Sequence, residues 1–158
     1  MIKSYRDLDV WQKAMDLVIE CYRMTTKFPK NEIYGLSSQL QRASVSLPAN
    51  IAEGHQRQHS KEFLQYLSIA CGSLAEVETH IQIASRLGYV DENQVNNILD
   101  KTSEVGRMLY GLRRSIEKKI SPCPPTPDPK PLTPDLQPLV PDPRPLVPAP
   151  QPLTPDPR

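Results

Sequence analysis

An all-α, antiparallel up-and-down four-helix bundle followed by a disordered proline-rich tail is the fold predicted by these 158 residues. Three observations carry the prediction. Apolar residues recur at steps of three and four through four separate stretches, the spacing that gathers side chains on one helix face. The connections between those stretches are short, which favours antiparallel neighbours. Of the 18 prolines, only Pro29 and Pro48 precede residue 121. The organisation expected is therefore a bundle domain over residues 1–120 and a proline-rich tail over 121–158.

The first helix is expected from Leu8 to Lys27, with Leu8, Trp11, Met15, Val18, Tyr22 and Thr25 on its buried face and Asp7 as N-cap. Phe28-Pro29 ends it, because proline has no N–H for the ladder and disfavours helical geometry in the residue before it. Asn31 is a cap for a second helix that starts near Glu32, runs to about Gly54 and carries Ile33, Leu36, Leu40, Ala43, Leu47 and Ile51. Pro48 lies inside this run, and its ring should clash with the Ser44 carbonyl, so a kink or break is expected over residues 44–48.

Ser60 is the expected N-cap of the third helix, whose seam of Phe63, Leu67, Ala70, Leu74, Val77, Ile81 and Ala84 alternates steps of four and three. Gly88 supplies the left-handed residue that ends it, and Asp91 with Gln94 three places on has the form of a capping box. The fourth helix repeats the seam with Val95, Ile98, Thr102, Val105, Leu109, Leu112 and Ile116. Facing seams of this kind pack with crossing angles near 20°.

The tail reads as five seven-residue units, from Pro-Pro-Thr-Pro-Asp-Pro-Lys at 124 to Pro-Leu-Thr-Pro-Asp-Pro-Arg at 152. Proline at about three positions per unit forbids helix and sheet pairing and predicts a polyproline-like segment. It is either a tolerated repeat expansion or a ligand for a proline-reading domain.

Residues 1–120 hold 16 Lys plus Arg against 14 Asp plus Glu, so a nucleic-acid footprint would have to be local. The three cysteines, Cys21, Cys71 and Cys123, lack paired spacing and predict no disulfide framework. The absence of an apolar leader run and of any 18-residue apolar stretch points to the cytoplasm and to no membrane contact.

No catalytic, cofactor or metal site is expected. The Glu-x-x-His pattern of di-metal bundles fails, since Thr79 stands three places after Glu76 and His80 one place too late. His55 and His59 have no carboxylate or cysteine cluster to complete a zinc set. There is no Gly-x-Ser-x-Gly elbow and no glycine-rich phosphate loop, so neither an enzyme nor a small-molecule substrate is evident.

Two kinds of surface remain. Gln39, Arg42, Ser46, Ala49 and Glu53 form a small and polar stripe on the second helix, matched on the third by Gly72, Ser73, Glu76 and Thr79. These read as a contact surface or an ordinary solvated face, with Arg42 able to pair with Glu53 or Glu76 within or between subunits. Basic residues concentrate at His55, Arg57, His59 and Lys61, and again at Arg107, Arg113, Arg114, Lys118 and Lys119. Arg107, Arg114 and Lys118 share one face and suit phosphate contacts, although cations near a helix C-terminus also complement its dipole.

Arg6-Asp7-Leu8, Phe28-Pro29, Gln39-x-x-Arg42-Ala43, Asn50-Ile51-Ala52-Glu53-Gly54, the run from Phe63 through Gly72-Ser73-x-x-Glu76, and Leu87-Gly88-Tyr89 occur here in a combined order. In that order the chain resembles, over about residues 4–118, the four-helix bundle protein family named for intervening sequences of bacterial 23S ribosomal RNA genes. The resemblance implies a ring-like homopentamer without enzymatic activity. It also implies a relation to the accessory protein of diversity-generating retroelements, which partners a reverse transcriptase and nucleic acid. Carried over by position, Gln39, Arg42, Asn50, Glu53, Gly54, Gly72 and Glu76 are motif residues that act in packing and at interfaces, and the tail departs from the family pattern. Two functions stay open: an adaptor that binds RNA, DNA or a nucleic-acid enzyme through Arg57, Lys61, Arg107, Arg114 and Lys118, and a self-assembling scaffold that contacts only proteins.

Overall fold

Helices of 17 to 29 residues, each with an apolar face too wide for water, dictate the architecture. The computed structural model describes residues 4–57 and 59–120 and contains, among them, α1 (Asp9–Thr25), α2 (Leu36–Gln56), α3 (Ser60–Arg86), α4 (Glu92–Ile120) and no strand. The expected proline-rich tail lies outside the described residues. No helix among the described residues is long and apolar enough to cross a membrane.

Each helix packs on the next in the chain, and α4 returns to α1, closing a ring of four neighbours with the broadest contact between α2 and α3. The connections 26–35 and 87–91 meet at one end of the bundle, where the Tyr89 hydroxyl donates to Glu32 Oε1 at 3.1 Å and the Tyr89 and Phe28 rings lie 5.6 Å apart. The turn between α2 and α3 and the last residues of α4 therefore share the opposite end.

The seams of α3 and α4 are as expected: Leu67, Ala70, Leu74, Val77, Ile81 and Ala84 face Val95, Ile98, Thr102, Val105 and Leu109 in one buried core. Phe63 and Leu112 are half-buried at its edge. Gly88 takes φ +72° at the end of α3, a conformation open to glycine at little cost. Asp91 caps α4, its Oδ1 accepting from the Gln94 amide at 2.9 Å.

The expectation for α1 needs correction. Of the expected face, Leu8, Val18 and Thr25 are buried and Trp11 is half-buried, but Met15 and Tyr22 are 38% and 43% exposed, and Val10, Ala14, Leu17, Cys21 and Met24 form the main buried line. The helix carries two apolar lines about a third of a turn apart, and the smaller Ala14 and Cys21 let it approach its neighbours. Its N-cap is Leu8, without a side-chain bond. Asp7 instead closes a capping box with Ser4 around a 3-10 turn at Tyr5–Asp7.

Asn31 does not cap α2 either. Residues Lys30–Tyr34 form a 3-10 turn, Ile33 is 58% exposed, and α2 begins at Leu36. The cap comes from Glu32, whose Oε2 accepts from the Leu36 amide at 2.8 Å. A carboxylate there also suits the positive end of the helix dipole. Pro48 does not interrupt α2, which runs unbroken through Gln56. Ser44, Leu47, Pro48 and Ile51 are all buried, and packing on this scale outweighs the cost of about 3 kcal/mol that a proline carries inside a helix. At α3, His59 rather than Ser60 is the N-cap, and Ser60 is the first helical residue.

Candidate functional site

Five of the motif residues, Gly72 among them, sit on the outward half of α2 and α3. Gln39, Arg42, Glu53 and Glu76 are exposed, and Asn50 is half-buried, its amide donating to the Ser46 carbonyl at 2.7 Å and to Ser46 Oγ at 3.0 Å. Ser46 Oγ in turn lies 2.9 Å from Ser73 Oγ, a polar bond across the α2–α3 contact. Arg42 and Glu76 line one open depression with Tyr22, yet Arg42 forms no ion pair among the described residues. Within one protomer Arg42 thus pairs with neither Glu53 nor Glu76; about 16 Å of continuous helix separates it from Glu53, which Arg57 engages instead.

That engagement is a three-member network. Glu53 Oε1 accepts from Arg57 Nη2 and from the Tyr66 hydroxyl, both at 2.8 Å, and Arg57 Nη2 also donates to Tyr66 Oη at 2.9 Å. The Arg57 guanidinium lies over the Tyr66 ring at 5.3 Å. The Tyr66 hydroxyl, and after it Arg57, hold the Glu53 carboxyl below its ordinary range. Arg57 therefore has a carboxylate partner within the protomer, which a phosphate would have to share or displace. Its signal in the sequence was the i,i+4 spacing from Glu53.

The two glycines of the motif differ physically. A Cβ at Gly54 would stand 2.6 Å from Tyr66 Cβ and 2.9 Å from Phe63 Cδ2, so the approach of α2 to α3 at this point requires glycine. A Cβ at Gly72 would meet nothing within 4 Å. Packing within the protomer gives no reason for glycine there.

The second surface is the outward face of α4. Arg107, Arg114 and Lys118 are all exposed, spaced by seven and four residues, on the side opposite the buried Val105, Leu109 and Ile116. None of the three forms an ion pair among the described residues, whereas Arg113 reaches Glu117 at 3.8 Å. Gly111, Arg114, Ser115, Lys118 and Lys119 line a shallow groove of about 520 Å³. The antiparallel course brings exposed Lys61, at the start of α3, to the same end of the bundle. The sequence had the cationic stripe but not its neighbour Tyr110, which is 67% exposed.

Other chemistry is sparse. Among the described residues no three of His, Cys, Asp and Glu converge on a point that could hold a metal ion. His55 sits edge-on to Phe63 at 5.8 Å with its Nδ1 unpartnered. Burial pushes the Cys21 thiol up to about 12, and Cys21 and Cys71 are both free.

No curated protein matches the chain. Among solved structures, a protein of unknown function from the S23 ribosomal protein family of Bacteroides thetaiotaomicron is similar in fold, with a TM-score of 0.60 at 23% identity. The match covers 66% of this chain and 98% of that one. The family model described as 23S rRNA-intervening sequence protein matches residues 6–111, the span from the first turn to the middle of the cationic face. With two thirds of its length matched in that way and a bundle of the same fold, the chain belongs to the 23S rRNA-intervening sequence protein family.

Proposed function

We propose that this protein is a cytoplasmic, non-enzymatic adaptor that self-associates and binds nucleic acid through the outward face of α4. The observation that carries the reading is the charge of that face. Five cations, Arg107, Arg113, Arg114, Lys118 and Lys119, stand against Glu117 alone in the last 14 residues of α4, on a body that is otherwise close to neutral. Clustered cations, of which only Arg113 is paired among the described residues, release counterions when phosphates replace them, and that gain needs no built pocket. The helix dipole favours such residues too, but its reach is about one turn, and Arg107 lies more than three turns from the end of α4.

The test is retention of RNA by the purified full chain as salt is raised. Binding should fall steeply with salt, and Arg114→Glu with Lys118→Glu should lower the slope of log K against log salt by about 1.5. Unchanged retention in the double variant would overturn the assignment to α4.

A second reading, a scaffold that contacts only proteins, is favoured by Gly72, Arg42 and Glu76. An exposed glycine in mid-helix costs about 1 kcal/mol relative to alanine and returns nothing within the protomer. A neighbouring copy placed against α2 and α3 would account for it, as would an assembly of five copies. Light scattering on the nuclease-treated protein separates the readings: an assembly free of nucleic acid that ignores the α4 reversals supports the scaffold.

A further inference from the structure

Tyr110 stands beside the cationic stripe of α4, three residues after Arg107 and four before Arg114, so both arginines neighbour it on the helix surface. Its ring is 67% exposed. Among the described residues neither arginine covers it: the cation–π contacts are Arg6 on Tyr5 and Arg57 on Tyr66. Nor does it join any of the ring pairs, which are Tyr5 with Trp11, Phe28 with Tyr89 and His55 with Phe63. Gly111, next in the chain, puts no side chain between Arg107 and Lys118, and a Cβ there would meet nothing within 4 Å.

The occupant of such a face can be argued from its chemistry. Cations alone suit any polyanion, and a duplex offers them phosphates while keeping its bases stacked inside. An open aromatic ring set among cations adds something only to a polyanion whose bases are free to stack. From Arg107 to Lys118 the stripe runs about 16 Å along the helix, long enough to hold phosphates on both sides of a stacked base.

We propose that the α4 face binds single-stranded nucleic acid, with the Tyr110 ring stacking on an unpaired base while Arg107, Arg114 and Lys118 hold the flanking phosphates. This rests on the nucleic-acid reading above and adds to it the form of the ligand. Charge complementarity fixes the phosphate contacts, and the free ring selects the strand.

The experiment is fluorescence anisotropy on the full chain with a labelled mixed-sequence RNA of about 16 nucleotides, alone and annealed to its complement, with the same strand as DNA in parallel. Tyr110→Ala should weaken single-strand binding by about tenfold or more, leave the salt slope unchanged, and shift duplex binding by less than about twofold. Tyr110→Phe keeps the ring and should bind like the parent. Circular dichroism of each variant checks that the bundle is intact. Equal single-strand affinity in Tyr110→Ala and the parent, or an equal loss on strand and duplex, would overturn the stacking role while leaving phosphate binding standing. A parent chain that binds neither form at low salt would overturn both readings. RNA and DNA strands bound alike would show that stacking and phosphates suffice, and a preference for RNA would add the 2′-hydroxyl as a contact.

Discussion

Gly54→Ala is the sharpest probe of how α2 meets α3. The new methyl carbon would sit 2.6 Å from Tyr66 Cβ and 2.9 Å from Phe63 Cδ2, and neither neighbour can simply swing away. The Tyr66 Cβ is fixed to the backbone of α3, and the Phe63 ring is held edge-on against His55. Forcing a methyl into a packed contact costs about 1–3 kcal/mol. The 2.6 Å overlap puts the cost in the upper half of that range, and alanine's better helix propensity returns about 1 kcal/mol, leaving a net loss of about 1–2 kcal/mol. For a domain of this size that corresponds to a melting point lower by about 4–8 °C. Gly72→Ala is the matched control, since propensity acts there with nothing within 4 Å to oppose it, and the protomer should gain up to about 1 kcal/mol. Urea and thermal unfolding followed by far-UV circular dichroism, at a concentration where self-association is held constant, measure both. A Gly54→Ala protein as stable as the parent would refute the close-contact argument, and a sign no different from that of Gly72→Ala would do so most directly.

Two further outcomes follow from titratable groups. The Glu53 carboxyl is held below its ordinary range by Tyr66 and Arg57, so its contribution is complete above the usual carboxylate range and is lost as pH falls through the depressed value. The stability difference between the parent and Glu53→Gln should therefore shrink on acidification below about pH 4, while a difference that widens there would contradict the network. Cys21 is fully buried with its thiol pushed up to about 12, so in a Cys123→Ser background a thiol reagent at pH 8 should modify Cys71 and spare Cys21 until the bundle unfolds. Mass spectrometry of the labelled native protein reads this, and early modification of Cys21 would show that the core opens locally.

The bundle was legible where the pattern had no rival. Along α3 and α4 the seam positions recur without a miss and nearly all are buried, while Ile69, Ile83 and Tyr110, apolar but off the seam, are too scattered to form a second line and are exposed. On α1 the pattern had a rival: Met15 and Tyr22 are large and apolar and Ala14 and Cys21 are small, but helix approach favours the small line. Caps failed for a related reason. Asp7, Asn31 and Ser60 are good capping residues, yet Asp7 and Asn31 fall in or beside 3-10 turns, and α2 takes its cap from Glu32, whose carboxylate reaches forward four residues. Pro48 shows tertiary burial overriding a local rule. The cationic face of α4 was readable because its spacing repeats with the helix. The pairing of Arg57 was only half readable, since Glu53 lies four residues away but Tyr66 comes from the next helix.

The closure of the ring between α1 and α4 bears on how salt will act. These two helices are far apart in the chain, and their outer edge is tied by Lys13 to Glu104 at 3.0 Å and Lys101 to Glu20 at 3.2 Å. Half-exposed pairs of this kind contribute about 0–1 kcal/mol each and weaken with screening. Beneath them Leu17 and Val105 are almost completely buried and feel no such screening. One helix thus presents two responses to ionic strength: its charged edge loosens as the ion pairs to α1 are screened, while its inner side keeps the bundle shut.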